Sequence, residues 1–206
     1  MFLIDINVSL VQNRVSESLH LTLKFILWRL LVVLESKVKA LSLHYGAQAH
    51  VPVDPFLIAS KAHITVYHTD CEFSDRFGII RTKNEGQTLF YLASNWDQAH
   101  QRFFLAHLLG HYFLHLNQEQ HADRYCRIRY NSDPSAGYPE EQEADEFARF
   151  LLIPSHALSD CLNQRLSVEE IATHLMVPSA QVKARLNELK RAQNPSADPS
   201  IRGQVS

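Results

Sequence analysis

Cysteine is scarce in this chain: Cys71, Cys126 and Cys161 are the only three, far apart and without a CxxC pair. An odd, scattered set argues against a disulfide framework or a cysteine zinc site, and a reducing, cytoplasmic setting is the simplest expectation. Net charge is nearly absent as well, at −2, so no broad face for direct DNA contact is expected. A membrane-length hydrophobic run is also missing, because the apolar stretch Leu19 to Leu34 is interrupted by His20, Lys24 and Arg29. No secretory leader pattern opens the chain, since Asp5 comes early and no basic residue precedes Arg14.

What is present suits a folded chain. A hydrophobic content of 46% and a charged content of 20% over 206 residues fit one domain with an appendage. Apolar residues recur at helical spacing from about Glu17 to Tyr45, and Gly46 stands where such a helix stops. Asp54 as N-cap and Pro55 at the first helical position predict a short helix over Val53 to Ala62. Three runs rich in β-branched and aromatic residues follow, Ala62–Tyr67, Phe77–Thr82 and Thr88–Ala93, the last two joined by a Lys-Asn-Glu-Gly turn. They predict a small antiparallel sheet of three strands, and hence an α+β fold.

Ser94 and Asn95 offer N-caps for an apolar helix over Trp96 to Leu116. Residues Asn117–Tyr138 carry turn signals and read as a long loop. Arg124, Arg127 and Arg129, with Tyr125 and Tyr130 between them, suit either a binding surface for a peptide or acidic partner or a solvated loop. Pro139 and the acids after it open a helix that ends before Pro154. Helices over Pro154–Leu162, Ser167–Leu175 and Ser179–Ala192 complete the chain. The last two have the cadence of a helix-turn-helix, in which Lys183 and Arg185 would be the residues able to reach phosphates, although the nearly neutral charge favours a pair that packs beside the preceding domain. The tail, Asn194–Ser206, is expected to be disordered.

Within the helix after the strands, His107 and His111 stand four residues apart. Such residues lie about 40° apart around a helix and about 6 Å along it, so both imidazoles can reach one ion. Twelve histidines in 206 residues give about 0.6 such pairs by chance, so the pair alone proves little. Thirty residues beyond His111 stands Glu141, and Asp145 follows on the same helical face. A carboxylate is a standard third ligand for zinc, and an acid one turn on can accept the free N–H of a ligating histidine. Two plainer readings stay open. The acids could form a solvated helix face favoured by the dipole, and the histidines could satisfy core hydrogen bonds beside an apolar Leu108. Gly110 points to a close approach of the sheet or a bound backbone to this helix.

His107-Leu-Leu-Gly-His111 with His115, followed by Glu141-Gln-Glu-Ala-Asp145-Glu-Phe-Ala-Arg-Phe-Leu-Leu-Ile-Pro154, resembles the ImmA/IrrE family of metallopeptidases, whose first motif is HELGHxxxH. The resemblance spans about Val53 to Leu189. It implies a helical, zincin-like core over residues 51–163, which leaves residues 1–50 as a helical extension and 164–192 as the helix-turn-helix-like helices. It further implies one zinc ion on His107, His111 and Glu141, with Asp145 as the partner of a ligating histidine and His115 in a supporting role. The implied activity is cleavage of a helix-turn-helix transcriptional repressor in stress response, phage induction or toxin–antitoxin regulation.

This chain departs from that pattern at Leu108, where the family carries its general-base Glu. A leucine takes up no proton, and loss of a positioned acid/base group costs about 10² to 10⁴ in rate. Glu140 and Glu143 face about 100° and 200° away from Glu141, so neither replaces it. The expectation is therefore an impaired hydrolase. The alternative is a non-enzymatic toxin or regulator that binds a repressor or antitoxin through the same groove, with zinc structural or absent.

Overall fold

A computed structural model describes residues 32–47, 51–69, 79–81, 87–115 and 139–193. Seven helices and three short strands lie among them: α1 (residues 32–44), α2 (Pro55–Lys61), β1 (Ile64–Thr69), β2 (Ile79–Arg81), β3 (Thr88–Ala93), α3 (Gln98–Leu114), α4 (Pro139–Leu152), α5 (Ser155–Asn163), α6 (Val168–Leu175) and α7 (Ser179–Gln193). The fold is mostly helical with a small sheet. The expected long loop, its arginines and tyrosines, the β2–β3 turn, residues 17–31 of the expected first helix and the tail lie outside the described residues. No helix among the described residues is long and apolar enough to cross a membrane.

Local chemistry explains several boundaries. α1 stops at Gly46, whose φ of +66° belongs to the left-handed region that glycine adopts without strain. The Asp54 side chain accepts the Phe56 N–H at 2.9 Å and Pro55 occupies the first turn of α2. At α6 a full capping box forms, with Ser167 accepting the Glu170 N–H and the Glu170 carboxylate accepting the Ser167 N–H at 2.7 Å. The cap of α3 differs from expectation. Ser94 and Asn95 lie in a turn, and Asp97 caps the helix by accepting the His100 N–H at 2.9 Å. Any of the three could cap in principle, and the turn carrying Trp96 onto the ring of Phe104, 5.1 Å away, selects Asp97.

The sheet also departs from the expected antiparallel arrangement. Its order is β1-β3-β2, with β1 parallel and β2 antiparallel to β3. Sequential neighbours usually pair, which would place β2 in the middle. Instead β3 takes the centre, where its Phe90 and Leu92 are wholly inaccessible.

α3 is the axis of the core. Every residue from Arg102 to His111 is buried, which requires neighbours on all sides, and α2, β3 and α4 supply them. Buried Arg102 donates to the Val53 carbonyl at 2.5 Å and to that of Met176 at 3.2 Å, tying the first half of α3 to the turn between α6 and α7.

That turn resembles a helix-turn-helix, but Arg185 has no free side chain to offer a phosphate. It is 2% exposed, ion-paired to Glu35 and Glu188 at 2.9 and 3.4 Å, and seated over the Phe150 ring at 4.4 Å. Helical cadence places Arg185 on α7 but cannot show which face the rest of the protein covers. Lys183 remains exposed, 3.7 Å from Glu169.

Candidate metal centre

α3 and α4 make the most extensive helix pair among the described residues, and their contact is unusually close at Gly110. A Cβ built on that glycine would stand 2.9 Å from the Ala144 Cα, 3.1 Å from the Ala144 carbonyl oxygen and 3.2 Å from the Phe147 Cβ. The close approach expected at Gly110 is therefore to α4, not to the sheet. Its effect is to bring the first turns of α4 against the histidines. Gly110→Ala should gain about 1 kcal/mol of helix propensity and lose about 1 to 3 kcal/mol to overpacking against backbone that cannot yield. A net fall of a few degrees in melting temperature, with weakened metal binding, is the expected outcome in thermal denaturation with and without added zinc.

Within this contact His107, His111 and Glu141 converge. The Nε2 atoms of the two histidines lie 3.1 Å apart, and the Glu141 carboxylate oxygens lie 3.3 Å from His107 Nε2 and 3.4 Å from His111 Nε2. Adjacent ligand atoms of a tetrahedral zinc with bonds of about 2.0–2.1 Å are about 3.3–3.4 Å apart; each histidine meets a different oxygen of Glu141 near that spacing, and one ligand atom from each residue lies within 4.8 Å of the other two. They form a group of three ligating side chains able to hold a metal, with both histidines buried and Glu141 half-buried.

The surroundings fix which nitrogen is available. Asp145 Oδ1 is 2.7 Å from His107 Nδ1, and a carboxylate can only accept, so Nδ1 carries the proton and Nε2 is left to bind. The Phe104 ring stacks on His107 at 5.6 Å and limits its rotation. Sequence reading assigned Phe104 no such role, since an aromatic at helical spacing looks like ordinary core.

Burial opposes charge on both imidazoles. At His107 the carboxylates of Asp145 and Glu141 overcome that penalty and raise the pKa above the ordinary histidine value. At His111 burial wins, helped by His107 next to it, and the pKa falls despite Glu141. Burial would also raise Glu141, but hydrogen bonds from the two histidines hold its carboxyl at about 2. Without metal the site thus keeps an ionised carboxylate and a neutral His111, and an entering cation displaces protons chiefly from His107.

His115 does not join the donor group. Its Nε2 lies 3.1 Å from the backbone oxygen of Glu140 and 3.8 Å from the Glu143 carboxylate. Leu108 is wholly inaccessible and belongs to the hydrophobic core. Glu140 and Glu143 are exposed.

A family model, Peptidase_M78, described as the IrrE N-terminal-like domain, matches residues 59–187. The chain belongs to that family. The match runs from α2 into α7, so this Peptidase_M78 member carries within it both histidines, Glu141, Asp145 and the α6–α7 pair. The family identity makes the chain a zinc metallopeptidase-like protein, and its His-His-Glu cluster could bind a metal. No curated protein matches the chain.

Proposed function

We propose that this protein holds one zinc ion on His107, His111 and Glu141, is impaired as a peptidase, and acts in the cytoplasm by binding a helix-turn-helix repressor or antitoxin beside the metal site. The observation that carries the reading is Leu108, an apolar side chain buried in the core directly after the first histidine. In such a site zinc would supply Lewis-acid polarisation and acidification of water. The chain's own part is to hold three donors at ligand spacing, to fix the tautomer of His107 through Asp145, and to exclude solvent from both imidazoles. Leu108, at the position where the family carries its general base, cannot move a proton between water and a leaving amine. Family membership supports the choice of a protein ligand, and the resemblance to enzymes that cut repressors supports its class.

Deep burial of the two histidines, 4% and 2% exposed, favours as a second reading a structural ion in a non-enzymatic regulator. Both readings are tested by metal analysis of the purified protein and by gel filtration with the repressor encoded beside it. Stoichiometric zinc and co-elution with an intact repressor is the expected result. Zinc far below one equivalent would remove the metal claim, and a repressor that never co-elutes would remove the partner.

A further inference from the structure

The geometry points to His115 as the positioning residue for Glu141, acting through the Glu140–Glu141 peptide rather than as a metal ligand. For metal binding this inference rests on the reading of His107, His111 and Glu141 as a metal site.

Glu141 is the third residue of α4, and helix ends fray unless something holds them. Its neighbours Glu140, Gln142 and Glu143 are exposed, so burial holds this turn weakly. The nearest buried anchor, Ala144 against Gly110, comes almost a full turn later. Yet the Glu141 carboxylate must stay within 3.4 Å of two imidazoles for the three donors to act together.

His115 is placed to supply the missing tie. It caps the C-terminus of α3, and its own N–H bonds the His111 carbonyl at 3.0 Å, so its backbone is fixed to the turn that carries the second histidine. Its ring lies against that of His111, with centroids 5.4 Å apart, and its side chain is only 13% exposed. From there Nε2–H donates to the Glu140 carbonyl at 3.1 Å. That carbonyl belongs to the peptide plane from which the Glu141 Cα departs. Through His115, two hydrogen bonds thus link the backbone of His111 to the peptide that carries Glu141 and hold two donors in register.

Two readouts test the assignment in the full chain. In the metal-free protein, amide hydrogen exchange at Glu143 and Ala144, whose N–H groups close the first turn of α4 in helical geometry, should speed up in His115→Ala. The C-terminal half of α4 should be unaffected. In zinc competition with a chromophoric chelator, His115→Ala should bind about 10- to 100-fold more weakly, the range lost when a group supporting a ligand is removed. His115→Gln, whose amide can donate to the same carbonyl, should recover most of both effects. Glu143→Gln removes only the carboxylate at 3.8 Å and should leave both readouts as they are.

Unchanged exchange in His115→Ala overturns the inference, and so does a Glu143→Gln variant that reproduces the loss. If the unsubstituted protein binds no zinc while the exchange effect is present, the tie stands and the metal reading fails.

Discussion

Leu108→Glu is expected to raise cleavage of the cognate repressor from undetectable to readily measured, a gain of about 10² to 10⁴ in rate. The side chain after the first histidine of the metal helix is where the resemblance places a proton acceptor, and leucine has none. The same substitution has a cost. Position 108 is wholly inaccessible and belongs to the apolar core, so a carboxylate there must either reach the donors of His107 or sit neutral among hydrocarbons. A lower melting temperature should therefore accompany the gain. Leu108→Gln has nearly the same shape and polarity but takes up no proton, so it should lose stability without gaining activity. Cleavage products followed by mass spectrometry distinguish these cases. A Leu108→Glu protein that is folded, loaded with zinc and still inert would show that more than the base is missing, and the impaired-peptidase reading would fall.

Glu141→Ala should abolish zinc-dependent stabilisation. Of the three donors, Glu141 alone brings charge compensation, and its carboxyl is held ionised down to a pH of about 2. If a zinc site of four ligands yields about 10–16 kcal/mol, one ligand accounts for about 3–4 kcal/mol, or about 10² to 10³ in affinity. Zinc at a hundredfold excess over its dissociation constant stabilises a protein by about 2.7 kcal/mol, which should raise the melting temperature of the unsubstituted chain by several degrees. In Glu141→Ala that rise should vanish at the same zinc concentration, and calorimetry with and without a chelator would record it. An equal rise in both proteins would mean that the ion binds elsewhere.

The local signals were legible wherever one residue's chemistry suffices. Asp54 with Pro55, Pro139 and Gly46 mark the same boundaries in sequence and in structure, because a cap or a left-handed glycine needs only near neighbours. The cluster of side chains that could hold a metal was legible for a related reason. Four-residue spacing places His107 beside His111, and the same spacing places Asp145 one turn beyond Glu141. Strand pairing was less so, since three short apolar runs are compatible with several orders and only burial against α3 makes β3 central. The packing partner of Arg185 was not legible, because helical periodicity records an angle around α7 and says nothing about Glu35, 150 positions earlier in the chain.

Residue order alone therefore specified the donor types, the helices that carry them and the apolar residue at position 108. These follow from side-chain chemistry and from contacts within a turn or two of helix. Folding in three dimensions decided that α4 lies close enough for Glu141 to meet both histidines, at donor separations of 3.1 to 3.4 Å. That distance depends on a missing Cβ at Gly110 and on a hydrogen bond from His115 to a backbone 25 residues away. Packing between segments far apart in the chain set it, and local periodicity carries no record of such contacts.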